Sequence, residues 1–148
     1  MSMADSDAAL TALYQPRIRE FSARVRADRR LEAPDVTVTC RSPVCGSMMT
    51  LDLAIRDGIL VGLGWRARAC TLGMASLGIV RQVGVGQTRD QIADAGRLLS
   101  TLLQGQDVDF PSAWSDLSVF TAARSFPTRF ASMGLPFQAI AQGFAELS

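Results

Sequence analysis

The sequence predicts an α+β domain, a three-stranded antiparallel sheet covered on one face by helices. Three observations carry that expectation. Met49, Leu51, Leu53 and Ile55 alternate with Thr50, Asp52, Ala54 and Arg56, the period-two pattern of a half-buried strand. Asp57-Gly58 follows at once and reads as a two-residue hairpin turn, because glycine accepts the positive φ such turns demand. The segments on either side repeat apolar residues at helical spacing, so helices are available to cover a sheet with one apolar face.

Taken in order, residues 1–8 read as a disordered lead-in. From Leu10 to Arg26 the residues Leu10, Tyr14, Ile18, Phe21 and Val25 recur three or four apart, the stripe of an amphipathic helix. Pro16 divides a short lead-in from a main helix starting near Gln15, since proline is tolerated in a first turn. Asp35 to Thr39 reads as a strand that puts Val36, Val38 and Cys40 on one face, and a loop marked by Pro43 and Gly46 leads into the second strand. The return strand after the hairpin is expected to point Ile59, Val61, Leu63, Trp65 and Ala67 inward, with Arg66 and Arg68 outward. Asp52 is read as a solvent-face residue and Asp57 as a turn residue.

Cys70 to Val83 is a helix rich in small residues (Gly73, Ala75, Ser76, Gly78), suited to close packing. Gly84 and Gly86 end it. Thr88-Arg89-Asp90-Gln91 is a capping box opening a helix with Ile92, Ala95, Leu99 and Leu102 as its buried stripe. Trp114, Leu117 and Phe120 suggest a short helix, Phe126-Pro127 a break, and Leu135 to Leu147 a last amphipathic helix. Trp65 and Trp114 read as core anchors, and Met48, Met49, Met74 and Met133 as core filling rather than soft ligands.

Composition narrows the chemistry. The chain has 148 residues, one domain by length, with a formal charge of +1. It contains no histidine, and all 15 of its basic residues are arginines. Ser-His-Asp and Cys-His catalysis, lysine Schiff bases and histidine-based metal sites are therefore excluded within the chain. Three cysteines, an odd number, do not read as a disulfide framework. No apolar run reaches 18 residues and the first residues are acidic, so neither a membrane span nor a secretory signal is expected, and the default location is cytoplasmic. Arg17, Arg19, Arg24 and Arg26 line one helix face; a solvated face is the better reading than a nucleic-acid face, because the chain is nearly neutral and has no aromatic interleaving.

Two cysteines stand at the edges of predicted elements. Cys45 lies in the loop before the second strand, and Cys70 lies at the end of the third strand, where a helix begins. In a meander those two points are neighbours, so the sulfurs are expected close together. A helix N-terminus and the nearby Arg68 should lower the Cys70 thiol pKa. Two buried core thiols remain the plain alternative, since free cysteine is among the most buried residue types.

The run Ser42-Pro43-Val44-Cys45-Gly46-Ser47, the hairpin at Asp57-Gly58-Ile59, Cys70 followed by Ala75-Ser76, then Gly86-Gln87-Thr88 and Arg129-Phe130-Ala131-Ser132-Met133-Gly134-Leu135 resembles the U-type iron–sulfur scaffold family (the IscU, SufU and NifU N-terminal domains). The likeness spans about residues 10–148, in order, with the right element between motifs. The resemblance implies a single SufE/NifU-like domain over 1–148 that carries iron, zinc or a [2Fe–2S] cluster without independent catalysis. It also implies sulfur supply by a cysteine desulfurase and transfer to acceptor proteins. Cys45 and Cys70 would be two ligands. Ser47 stands where the family has aspartate, Ser132 where it has its third cysteine, Ala131 where some members have histidine, and Ala69 where glycine precedes the second cysteine. Neutral hydroxyls are poor ligands beside thiolates and carboxylates. Cys40 is a candidate substitute ligand, with a buried core thiol as the favoured reading. A homodimer in which each chain gives Cys45 and Cys70 would supply four thiolates. The alternative is a sulfur acceptor or regulatory partner of a desulfurase on the same fold, with no metal.

Overall fold

The computed structural model describes residues 15–44 and 46–148. Expectations for residues 1–8, for Leu10 and Tyr14, and for the placement of Cys45 fall outside the described residues. Residues 15–23 are helical (α1). Then come β1 (Val36–Arg41), β2 (Met48–Arg56), β3 (Ile59–Arg68), α2 (Thr71–Gly84), α3 (Arg89–Leu103), a 3₁₀ stretch at Ser112–Ala123, a 3₁₀ turn at Pro127–Arg129, and α4 (Phe130–Leu147).

The strands form one antiparallel sheet in the order β1-β2-β3. Asp57 (φ 53°) and Gly58 (φ 75°) both turn left-handed, as a tight hairpin between twisted strands requires. The predicted facing holds along β1 and β2: Val38, Cys40, Met49, Leu51 and Leu53 are buried. On β3 it fails at the start. A register shift between Ala54 and Ile55 inserts Val61 as an extra residue, so Val61 is 45% exposed while Leu60 is fully buried. A bulge reverses the alternation on one side of itself, and nothing in the apolar pattern marks it.

Asp52 is a second correction. It lies on the face away from the helices, yet its exposure is 0%. The chain before β1 runs over that face. Arg29 pairs with Trp65 at the edge of β3 through two backbone hydrogen bonds of 2.9 and 2.8 Å. The segment then crosses above Gly64, the register partner of Asp52, where a Cβ would lie 2.6 Å from the Leu31 nitrogen. Asp52 accepts hydrogen bonds from Arg30 (2.7 and 2.9 Å), the Leu31 N–H (3.0 Å) and the Thr37 hydroxyl (2.7 Å). A buried carboxylate is thus fully partnered, as its desolvation demands.

On the other face α2 and α4 pack together, α4 lying over β1 and β2. Small residues set the spacing. A Cβ on Gly78 would meet the Phe21 carbonyl oxygen of α1 at 2.2 Å, and one on Gly143 would meet Leu53 Cδ1 at 2.2 Å. The capping box of α3 forms as expected, with the Gln91 N–H donating to Thr88 Oγ1 and the Thr88 N–H to Gln91 Oε1. Trp65 and Trp114 are buried, as are Met49, Met74 and Met133. The last helix starts at Phe130, five residues before the expected Leu135, because Pro127 opens a 3₁₀ turn that runs straight into it. Pro136 therefore sits inside α4 and has no N–H to offer the Ser132 carbonyl. Among the described residues no helix is long and apolar enough to cross a membrane.

Candidate functional site

Three elements bring polar atoms to the end of the sheet where β2 starts and β3 finishes. Met48 pairs with Arg68, so the residues just outside each, Ser47 and Ala69-Cys70, are neighbours across the hairpin. Cys70 is extended (φ −65°, ψ 165°) and is the N-cap of α2. The first turn of α4 comes down onto the same spot. Ser76 of α2 donates to the Met133 carbonyl at 2.6 Å, and Gly73 leaves room for Ser132, whose Oγ would otherwise sit 2.1 Å from a Cβ.

The result is a short hydroxyl chain. The Cys70 thiol donates to Ser132 Oγ at 3.5 Å, and Ser132 donates to Ser47 Oγ at 3.0 Å. Ser132 has an exposure of 0% and Ser47 of 3%, whereas Cys70 is half-buried. Two openings are lined in part by Cys70. One, of about 350 Å³, is lined by Cys70, Leu72, Ala122, Phe126 and Arg129; the other, of about 330 Å³, by Gly46, Ser47, Arg68, Ala69 and Cys70.

Burial acts to push the Cys70 thiol up, but it is outweighed, and the thiol lies below its ordinary range. The Ser132 hydroxyl, which can turn to donate to a thiolate, the Gly73 N–H at the start of α2 and the Arg129 guanidinium all favour the charged form. The direction matches the sequence expectation. The cause matches in part: the start of α2 contributes through the Gly73 N–H, but Arg68 is engaged elsewhere, its guanidinium binding the Asp28 carboxylate at 2.9 and 3.2 Å. Arg129 is the residue sequence reasoning missed in this role. Its signal was there, three residues before Ser132, one helical turn away.

Cys40 lies in the core under α4, near Gln142 Oε1 (3.8 Å), and burial pushes its thiol up. Cys45 is outside the described residues. Among the described residues no three histidine, cysteine, aspartate or glutamate side chains gather to hold a metal ion. Ser47 and Ser132 offer hydroxyls already bonded to each other, so the described donors do not fit a four-ligand centre held by one chain.

No family model matches the chain. It is 21% identical over 140 residues to the zinc-dependent sulfurtransferase SufU of Bacillus subtilis, covering 95% of each chain. To the iron–sulfur cluster assembly scaffold protein IscU of Streptococcus pyogenes it is 19% identical over 131 residues, covering 88% of this chain and 82% of that one. Among solved structures, the N-terminal NifU-like protein of Brucella abortus superposes with a TM-score of 0.85 at 29% identity, over 92% of this chain and 94% of that one. A scaffold protein for the SUF system from Fervidobacterium islandicum shares the fold, with a TM-score of 0.79 at 16% identity, over 90% and 97% of the two chains. Fold, motif order and relatives agree: over nearly its whole length the chain is similar to the U-type iron–sulfur cluster assembly scaffold proteins.

Proposed function

We propose that this protein serves iron–sulfur cluster assembly as a scaffold-type carrier, with Cys70 as the thiol at which sulfur or a cluster is received. The observation that carries the reading is the state of Cys70: half-buried at a helix N-terminus, its thiol lowered, with openings on two sides. The cluster is cargo. One chain gives Cys45 and Cys70, and a second copy gives the same pair, so that four thiolates hold a [2Fe–2S] centre. Sulfur comes from a partner cysteine desulfurase, and the cluster leaves to an acceptor protein; the chain performs no catalysis of its own. Anaerobic reconstitution with ferrous iron and sulfide tests this. A visible cluster spectrum is expected in the wild type and lost in both Cys45→Ser and Cys70→Ser; retention in both variants would defeat the reading.

A second reading is favoured by the hydroxyl contact of Cys70. Here the chain accepts sulfur alone. The Cys70 thiolate attacks the terminal sulfur of a partner's cysteine persulfide. An S–S bond forms at Cys70, the partner's S–S bond breaks, and the partner's cysteine leaves as a thiolate, with no net oxidation. A persulfide on the Cys70 peptide, with no cluster formed when iron and sulfide are supplied, selects this reading over the first.

A further inference from the structure

We propose that the Ser47–Ser132 hydroxyl pair is a specificity device that keeps a single chain from retaining zinc at Cys70. The inference rests on the scaffold reading of this site and adds which metal chemistry the site refuses. A retained zinc ion needs four donors, normally thiolate, imidazole or carboxylate. The chain has no imidazole at all. Beside Cys70 the two buried groups are neutral hydroxyls, and each already has a hydrogen-bond partner in the other.

Among the described residues no three ligating side chains gather at this or any other point, and the nearby or buried donors are committed elsewhere. Asp28, beside the Cys70 end of β3, is held by Arg68; Asp52 is enclosed with Arg30; Cys40 is in the core near Gln142. The Arg129 guanidinium that favours a Cys70 thiolate also adds positive charge where a cation would sit. Counting Cys45, two positions before Ser47 in the sequence, as a second thiolate would still leave zinc two donors short of four. Both serines lie where a longer or softer side chain would face Cys70, Ser132 by direct contact at 3.5 Å and Ser47 through Ser132 at 3.0 Å.

The experiment loads the full-length chain with zinc and challenges it with a chromophoric chelator, comparing wild type, Ser132→Cys, and Ser47→Asp with Ser132→Cys. Wild type is expected to surrender its zinc. The double variant is expected to keep about one zinc per chain, roughly 100-fold or more tightly. Ser132→Cys, which exchanges one buried oxygen for sulfur, is expected to fall between them and carries the test if the double variant fails to fold. Wild type holding one zinc per chain against the chelator would overturn the proposal, as would folded variants that gain nothing. Cluster reconstitution is read separately, so failure of the carrier function and failure of the zinc inference remain distinguishable.

Discussion

Two polar clusters sit along β2, one at its middle and one at its start, and they are built in opposite ways. Asp52, in the middle of the sheet, is covered by the segment carrying Arg29 to Leu31, and four donor contacts saturate its oxygens. Ser47, just before the strand, belongs to a chain of contacts that ends on the half-buried Cys70. Each cluster is admitted by a glycine: Gly64 lets the covering segment pass, and Gly73 lets the first turn of α4 approach. A closed buried network holds a fold in register, whereas an open one leaves a reactive atom for a partner. On the proposed function, the first cluster serves the fold and the second serves the chemistry.

The largest effect that would separate them is on stability. Asp52→Ala removes the acceptor of the Leu31 N–H and the Thr37 hydroxyl and releases the partly exposed Arg30, and is expected to cost about 2–4 kcal/mol in denaturant unfolding. Cys70→Ala should cost under about 1 kcal/mol, because a half-buried thiol held by weak sulfur contacts contributes little. Equal losses in the two variants would erase the distinction. The same contrast extends to pH. Arg30 is the main cause that holds the Asp52 carboxyl below its usual range, aided by Thr37 and the Leu31 N–H against the opposing push of burial. A depressed folded pKa gives stability that is present above the unfolded value of about 4 and is lost as pH falls through the folded one. Acid unfolding of the wild type should therefore show a limb below about pH 4 that is smaller in Asp52→Asn, where only other depressed carboxylates such as Asp28 remain.

The glycines sharpen the comparison at an intermediate scale. Gly64→Ala and Gly73→Ala each force a Cβ onto a neighbour, the Leu31 nitrogen at 2.6 Å in one and Ser132 Oγ at 2.1 Å in the other. Both are expected to destabilise by about 1–3 kcal/mol. Only Gly73→Ala should also weaken cluster reconstitution, since it displaces Ser132 from beside Cys70. The smallest effect is one of rate. Cys70 should be alkylated by iodoacetamide at neutral pH well before Cys40, whose thiol burial pushes up, as peptide-resolved mass spectrometry would read. Faster labelling of Cys40 would remove the electrostatic case for Cys70.

Much of this was legible in the chain. Alternation along β2, the Asp57-Gly58 turn and the capping box at Thr88 each follow from local rules, and each stands as expected. Local rules also placed Cys70 at a helix start. What escaped depends on segments far apart in sequence. Asp52 read as solvent-facing because nothing local shows that residues 29–31 cross above Gly64. Val61 read as inward because a bulge needs only one extra residue and leaves composition unchanged. Arg129 and Arg68 exchanged roles because Asp28, 40 positions before Arg68, claims the nearer guanidinium. The family likeness found the positions of Ser47 and Ser132, but only the fold brings their hydroxyls into contact.

The most direct test of the central claim counts iron and sulfide after anaerobic reconstitution, together with the molecular mass of the product. About one iron and one sulfide per chain, in a dimer that Cys70→Ser cannot form, is the expected result for a centre shared between two Cys45–Cys70 pairs. The same cluster on a monomer, or an unchanged cluster in Cys70→Ser, would contradict it.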